Sequence, residues 1–171
     1  MNLIDNFRRR GVPHALGLAL IAFAVVLVLD QASKWWIVEG LNLKERGVIP
    51  VLSPLLTFQM AWNDGVNFGL LGGNPQAMRL PLIVLSLCFT VAIIFFARGA
   101  SNRIQASALG VAAGGALGNA IDRMTWGAVA DFLNMSCCTL NNPWSFNVAD
   151  IAIFAGLGVA VLSGGKRSQA A

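Results

Sequence analysis

The sequence predicts a mainly α-helical integral membrane protein: four transmembrane helices with a small extracytoplasmic β-sheet or flap between the first and second. Three observations carry that prediction. Of 171 residues, 56% are hydrophobic and 12% are charged, about half the charge of a soluble domain. Runs without Asp, Glu, Lys or Arg cover 12–29, 80–97 and 104–121, and a fourth, 146–162, is broken only by Asp150. The basic residues fall unevenly between the connections. The apolar excess excludes disorder, and three cysteines exclude a disulfide-built secreted module. A net charge of +4 spread along the chain excludes a strongly basic nucleic-acid binder. The chain is read as one membrane domain, 1–171.

The first span, 12–29, follows Arg8, Arg9 and Arg10, as a signal peptide would. The residues after it, Leu29-Asp30-Gln31-Ala32-Ser33-Lys34, contain no small-x-small cleavage site, so a retained helix is expected. The outer loop 30–79 is too long for a bare connector. Within it, Val48–Leu52 and Leu55–Trp62 have short-strand character broken by Pro50 and Pro54. Asn63-Asp64-Gly65 and Leu71-Gly72-Gly73-Asn74-Pro75 are turn sequences. Spans two and three, 80–97 and 104–121, are joined by a short basic turn. The second outer loop, 122–145, is expected to add a further sheet edge. The fourth span, 146–162, carries an acid near its start. Each run is close to the ~17–20 apolar residues that cross ~30 Å of hydrocarbon, and the alternation of barrel strands is absent.

Charge sets the orientation. The N-terminus, the 98–103 turn and the C-terminus together hold seven Lys and Arg against Asp5, whereas the other side holds five against seven acids. The basic side is therefore expected to be cytoplasmic. Asp30, Asp122 and Asp150 then lie on the outer side, where Trp35, Trp36, Trp126 and Trp144 suit an interfacial aromatic belt.

Two segments repeat one pattern at that face: Asn119-Ala120-Ile121-Asp122 and Asn147-Val148-Ala149-Asp150. The first ends an outward-running helix and the second begins an inward-running one, so both acids arrive at similar depth. Each Asn lies three residues before its Asp, on the same helix face, and is expected to orient it. Gly110, Gly114, Gly118 and Asp122 fall four apart, a small-residue stripe for close helix packing. It is expected to face a matching stripe of Ala152, Gly156 and Ala160. Acids in spans are costly, so they are functional hypotheses by default. Two adjacent carboxyls share one proton; the ionised member can then activate water while the protonated one polarises a carbonyl. That hydrolyses an amide without metal or covalent intermediate.

These residues, with two further segments, resemble the lipoprotein signal peptidases (signal peptidase II) of the bacterial inner membrane. The matching motifs are Asp30-Gln31-x-Ser33-Lys34, Asn63-x-Gly65-x-x-Phe68, Gly114-Gly115-Ala116-x-Gly118-Asn119-x-x-Asp122-Arg123, Asp131-Phe132 and Phe146-Asn147-x-Ala149-Asp150. Asn67 departs from the small residue usual before that Phe. The resemblance implies an aspartic endopeptidase with Asp122 and Asp150 as catalytic pair. Asp30, Lys34, Asn63, Gly115, Asn119, Arg123 and Asn147 would surround them. It also implies a small periplasmic sheet and a short surface helix. The implied substrate is a diacylglyceryl-prolipoprotein, met in the lipid bilayer and cut just before its lipidated cysteine. No cofactor or metal is implied, the termini are cytoplasmic, and a monomer can hold the whole site.

The remaining candidates have simpler readings. His14 is the sole histidine, so neither a metal site nor a Ser–His site is expected. Cys88 reads as a buried small apolar residue, and adjacent Cys137 and Cys138 are poorly placed for an ordinary bridge. Asp131 reads as structural, bonding loop backbone. The rival function is a small proton-coupled transporter, which would place its acids near mid-membrane.

Overall fold

The computed structural model describes residues 12–65, 75–136 and 142–164. Asn67, Phe68, the Gly72-Gly73 turn, Cys137 and Cys138 lie outside them, as do Arg8–Arg10, Lys166 and Arg167. The elements are α1 (Ala15–Lys34) running into a π-helical segment (Trp35–Gly40), α2 (Leu43–Arg46), β1 (Val48–Leu52), β2 (Leu56–Asn63), α3 (Pro75–Ala97), α4 (Arg103–Thr125), β3 (Val129–Met135) and α5 (Val148–Gly164). Among the described residues, three helices are long and apolar enough to cross a membrane: Ala15–Gly40, Gln76–Ala97 and Arg103–Thr125. α5 has 17 residues, a rise of ~26 Å at the lower bound for a span.

The first three helices outrun their charge-free windows mainly at one end of the bundle. The first was expected to stop at 29 and continues to Gly40; the second begins at Pro75 rather than 80; the third runs past Asp122 and Arg123 to Thr125. The charges that closed those windows are satisfied by neighbouring elements and do not interrupt the helix. Lys34 pairs with Asp30 one turn back. Arg79 donates from Nε to the Arg123 carbonyl at 2.7 Å and from Nη2 to that of Met124 at 2.8 Å, capping the last turn of α4, where a cation is favoured.

α4 is the central helix, packed on α1, α3 and α5, and its buried face is almost entirely Ala and Gly. The expected pairing of small-residue stripes is corrected. Gly110, Gly114 and Gly118 face α1, not α5: a Cβ on Gly114 would lie 2.6 Å from the Phe23 carbonyl, one on Gly110 would strike that of Ala19, and one on Gly118 the Asp30 carboxylate. The α5 stripe meets a different face of α4, where a Cβ on Gly156 would come within 2.7 Å of the Ala108 carbonyl and one on Gly115 within 2.5 Å of that of Ala149. The helix needs two small faces because it has two close neighbours. Cys88, expected to be buried, is exposed on α3.

The sheet is antiparallel in the order β1-β2-β3. β3, from the loop 122–145, pairs with β2 as Leu56↔Met135 through Asn63↔Val129, the further edge expected there. Ile37, Leu43 and Phe132 form a buried cluster with Ile49, Phe58 and Met60 around it. Phe58 and Phe132 meet edge to face at 6.0 Å. This cluster holds β3, and with it Asp131, over the end of α1 and the short helix α2.

Candidate active site

The site forms where α4 ends and α5 begins. Lys34 is fully buried, and its ammonium has three acceptors for its three donors. They are Asp30 Oδ2 at 2.9 Å, Asp122 Oδ2 at 2.6 Å and Asn119 Oδ1 at 3.1 Å. Two carboxyl groups face one ammonium, and backbone and side-chain amides complete their hydrogen bonds. Asp30 Oδ1 accepts from the Ala149 amide at 2.9 Å, at the N-terminus of α5 where an anion is favoured. Asp122 accepts from Gln31 Nε2 at 3.0 Å and from the Ala130 amide at 3.3 Å. The absence of a Cβ on Gly118 makes room for the Asp30 carboxylate.

A second group lies beside the first. Asn147 is the N-cap of α5: its Oδ1 accepts from the Asp150 amide at 2.9 Å, while Asp150 Oδ2 accepts from the Asn147 amide at 3.2 Å. This is a reciprocal capping box, with Asp in place of the usual Glu. Asn119 Nδ2 donates to Asp150 Oδ1 at 2.9 Å. The Asn147 side chain donates to Asp131 Oδ1 at 2.6 Å and to Asn119 Oδ1 at 3.3 Å. Asn63 Nδ2 completes the set by donating to Asp131 Oδ2 at 3.1 Å. Asn147 therefore donates to both Asp131 and Asp150.

Asp131 differs from the other acids in its surroundings. It is 4% exposed and has amide donors, with no ammonium bonded to it. Burial, and next to it the negative charge of Asp150, push its carboxyl up from 3.8 to about 7, against the lowering effect of the Asn63 and Asn147 hydrogen bonds. Arg123 lies among the charges of Asp122, Asp131 and Asp150. Its Nη1 donates to the Asn119 carbonyl at 3.2 Å, and its buried Nε has no partner among the described residues.

All nine residues singled out from the sequence come together. Asp30, Lys34, Asn63, Asn119, Asp122, Arg123, Asn147 and Asp150 join one hydrogen-bonded network, and Gly115 supplies the close approach to α5. Two details of the reading change. Asn119 does not orient Asp122 on its own helix but reaches across to Asp150. Asp122 is fully buried and bonded to Lys34, Gln31 and the Ala130 amide, whereas Asp150 is partly exposed and accepts from the backbone amide of Asn147, whose side-chain amide donates to Asp131. Asp131 was read as bonding loop backbone; its partners are the two side-chain amides. Its signal in the sequence was a single acid inside the apolar strand Val129–Met135. Gln31 was also missed, although it stands inside the Asp30–Lys34 motif.

Fold and site together define a multi-pass membrane protein with a carboxylate-rich polar centre at one end of its helix bundle. Residues 22–164 match the family model described as signal peptidase (SPase) II, and the chain belongs to that family. It is 43% identical to the lipoprotein signal peptidase of Methylorubrum extorquens (strain PA1), over 81% of this chain and 80% of the relative. Identity to the lipoprotein signal peptidase of Rhodopseudomonas palustris (strain ATCC BAA-98 / CGA009) is 34%, over 82% and 87%. The fold is also that of a bacterial membrane enzyme solved by the in meso method, with a TM-score of 0.73 at 23% identity over 89% of this chain and 95% of that one.

Proposed function

We propose that this chain is an aspartic endopeptidase that removes the signal peptide from diacylglyceryl-modified prolipoproteins, cutting before the lipidated cysteine. We propose further that the water-activating pair is Asp131 with Asp150, and that Asp122 acts through the Lys34 network that positions it. One observation carries the choice of pair: Asn147 donates to both Asp131 and Asp150, while the two oxygens of Asp122 are taken by Gln31, Lys34 and the Ala130 amide. A carboxylate tied to a buried ammonium has neither a shared proton to give nor a free oxygen to turn toward water. Membership of the signal peptidase II family supports the reaction and substrate.

The chemistry follows from two unequal carboxyls. Asp131, raised to about 7, holds the shared proton; the pair titrates as a unit. Ionised Asp150 takes a proton from water, whose oxygen attacks the scissile carbonyl carbon while Asp131 protonates the carbonyl oxygen. The tetrahedral intermediate collapses as Asp150 returns its proton to the leaving nitrogen and Asp131 takes back the hydroxyl proton that it gave to the carbonyl oxygen. Arg123 Nε, buried without a partner among the described residues, offers a donor to a substrate carbonyl. The bundle supplies orientation: Asn119 and Asn147 hold Asp150, and Asn63 and Asn147 hold Asp131 in reacting geometry.

In this reading α5 is the fourth span and the site lies near the periplasmic face of the inner membrane. Both termini are then cytoplasmic and the enzyme works as a monomer. The carboxylates lie near the ends of α4 and α5, which suits a cut just below the membrane surface and not a transporter's mid-membrane relay. The test is cleavage of a diacylated prolipoprotein by Asp131→Asn, Asp150→Asn and Asp122→Asn, each with its folded fraction measured. Loss of turnover in folded Asp131→Asn and Asp150→Asn is expected, with Asp122→Asn losing stability. Normal turnover by Asp131→Asn would overturn the assigned pair, and normal turnover by Asp150→Asn would overturn any aspartic mechanism here.

A further inference from the structure

At the end of the bundle remote from the carboxylates, a groove of about 430 Å³ runs between α4 and α5. Small residues form its floor, Ala108 and Gly156, because the two backbones approach closely there. Val111 and Val159 wall it, exposed Ala155 lies along its open side, and Arg103 stands at its mouth. Apart from Arg103 and Ser107 the lining is apolar, which suits a hydrocarbon chain.

The charge at its mouth says what should head that chain. Arg103 is exposed and opens α4, where a cation opposes the helix dipole. The acids among the described residues are Asp30, Glu39, Glu45, Asp64, Asp122, Asp131 and Asp150, all at the other end of the bundle or on the sheet segment. The ion pairs among the described residues use Lys34 and Lys44 and leave Arg103 unneutralised. Its neighbour on the same turn, Arg98, is already stacked on the Phe95 ring at 5.7 Å.

We propose that this groove seats an anionic phospholipid, with one acyl chain between α4 and α5 and its phosphate on Arg103. A guanidinium suits phosphate because its fork can donate two parallel hydrogen bonds. A cationic or zwitterionic head gains less there, and a positively charged peptide segment is repelled.

The experiment uses the full chain in neutral detergent, titrated with phosphatidylglycerol or phosphatidylcholine of identical acyl chains. Bound lipid is counted by native mass spectrometry. Phosphatidylglycerol is expected to bind about five- to tenfold more tightly, the increment of one arginine at an anionic head. Arg103→Gln should remove that preference and leave chain binding, whereas Arg98→Gln should keep it. Ala155→Phe, filling the groove from its open side, should weaken both lipids. Equal binding of the two lipids by the unaltered chain overturns the proposal, as does a preference that survives Arg103→Gln. Arg103→Gln changes an exposed side chain with no ion-pair partner among the described residues, so its folding is not at stake if Ala155→Phe fails to fold.

Discussion

Replacing Asp131 by Asn should remove a pH dependence of stability, and the size of that loss follows from the surroundings of Asp131. Lifting a carboxyl from 3.8 to about 7 corresponds to about 4 kcal/mol, at ~1.4 kcal/mol for each pH unit. The sign is that of a raised acid. Below ~4 both folded and unfolded chains are protonated at this position and the stabilisation is complete. Between ~4 and about 7 the folded chain keeps a proton that the unfolded chain releases, so stability falls as pH rises. From pH 5 to pH 8 the unaltered protein should lose about 3 kcal/mol through this group. The asparagine side chain of the variant carries no proton to lose, so over that interval stability should swing by about 3 kcal/mol in its favour. For a chain of this size that corresponds to a relative Tm change of roughly 6–12 °C. Thermal unfolding of both proteins in one detergent, at half-unit steps of pH, reads it directly. Parallel stability curves for the two proteins would refute the reasoning, because they would mean that Asp131 is ionised throughout.

Other substitutions probe the supporting network. Asp122→Asn weakens the hydrogen bonds to Lys34, Gln31 and the Ala130 amide but leaves Lys34 paired with Asp30, and should lower stability by about 1–3 kcal/mol, measured by chemical or thermal unfolding at pH 7. Lys34→Met strands two buried carboxylates and should be worse than Asp122→Asn in the same assay. Gly118→Ala drives a methyl group into the Asp30 carboxylate and should cost about 1–3 kcal/mol; an unchanged Tm would show that α1 and α4 can separate there. Asn147→Ser keeps an N-cap oxygen for α5 but loses the amide on Asp131. The cap is kept, but the buried acceptors on Asp131 and Asn119 lose this donor, so the substitution should cost about 1–3 kcal/mol, with kcat falling far more than that stability change accounts for.

How much of this was legible in the sequence depended on which partner satisfied each charge. The positions of the long helices could be read because lipid leaves backbone groups no partner outside the helix, and Asn102 and Asn147 both stand as N-caps. The ends could not be read at the polar pole. Asp30, Lys34 and Arg79 look like helix stops until their partners, which lie far away in sequence, are known. The repeated Asn-x-x-Asp pointed to four residues that lie in one hydrogen-bonded network, but spacing on one helix cannot say that Asn119 serves the acid of the other. The same limit hid Asp131. Its neighbours Asn63 and Asn147 are 68 and 16 residues away and meet it only because β3 pairs with β2 above the start of α5. Glycine spacing likewise announced close packing without telling which face met α1 and which met α5.

The most direct test is a carboxyl titration of the protein labelled with 13C at its aspartate side chains. The account predicts one resonance titrating near 7 that disappears in Asp131→Asn and moves to lower pH in Asp150→Asn, where the neighbouring negative charge is gone. A titration near 7 unmoved by Asp150→Asn, or no aspartate titrating between pH 5 and 9, would contradict a proton shared by these two residues.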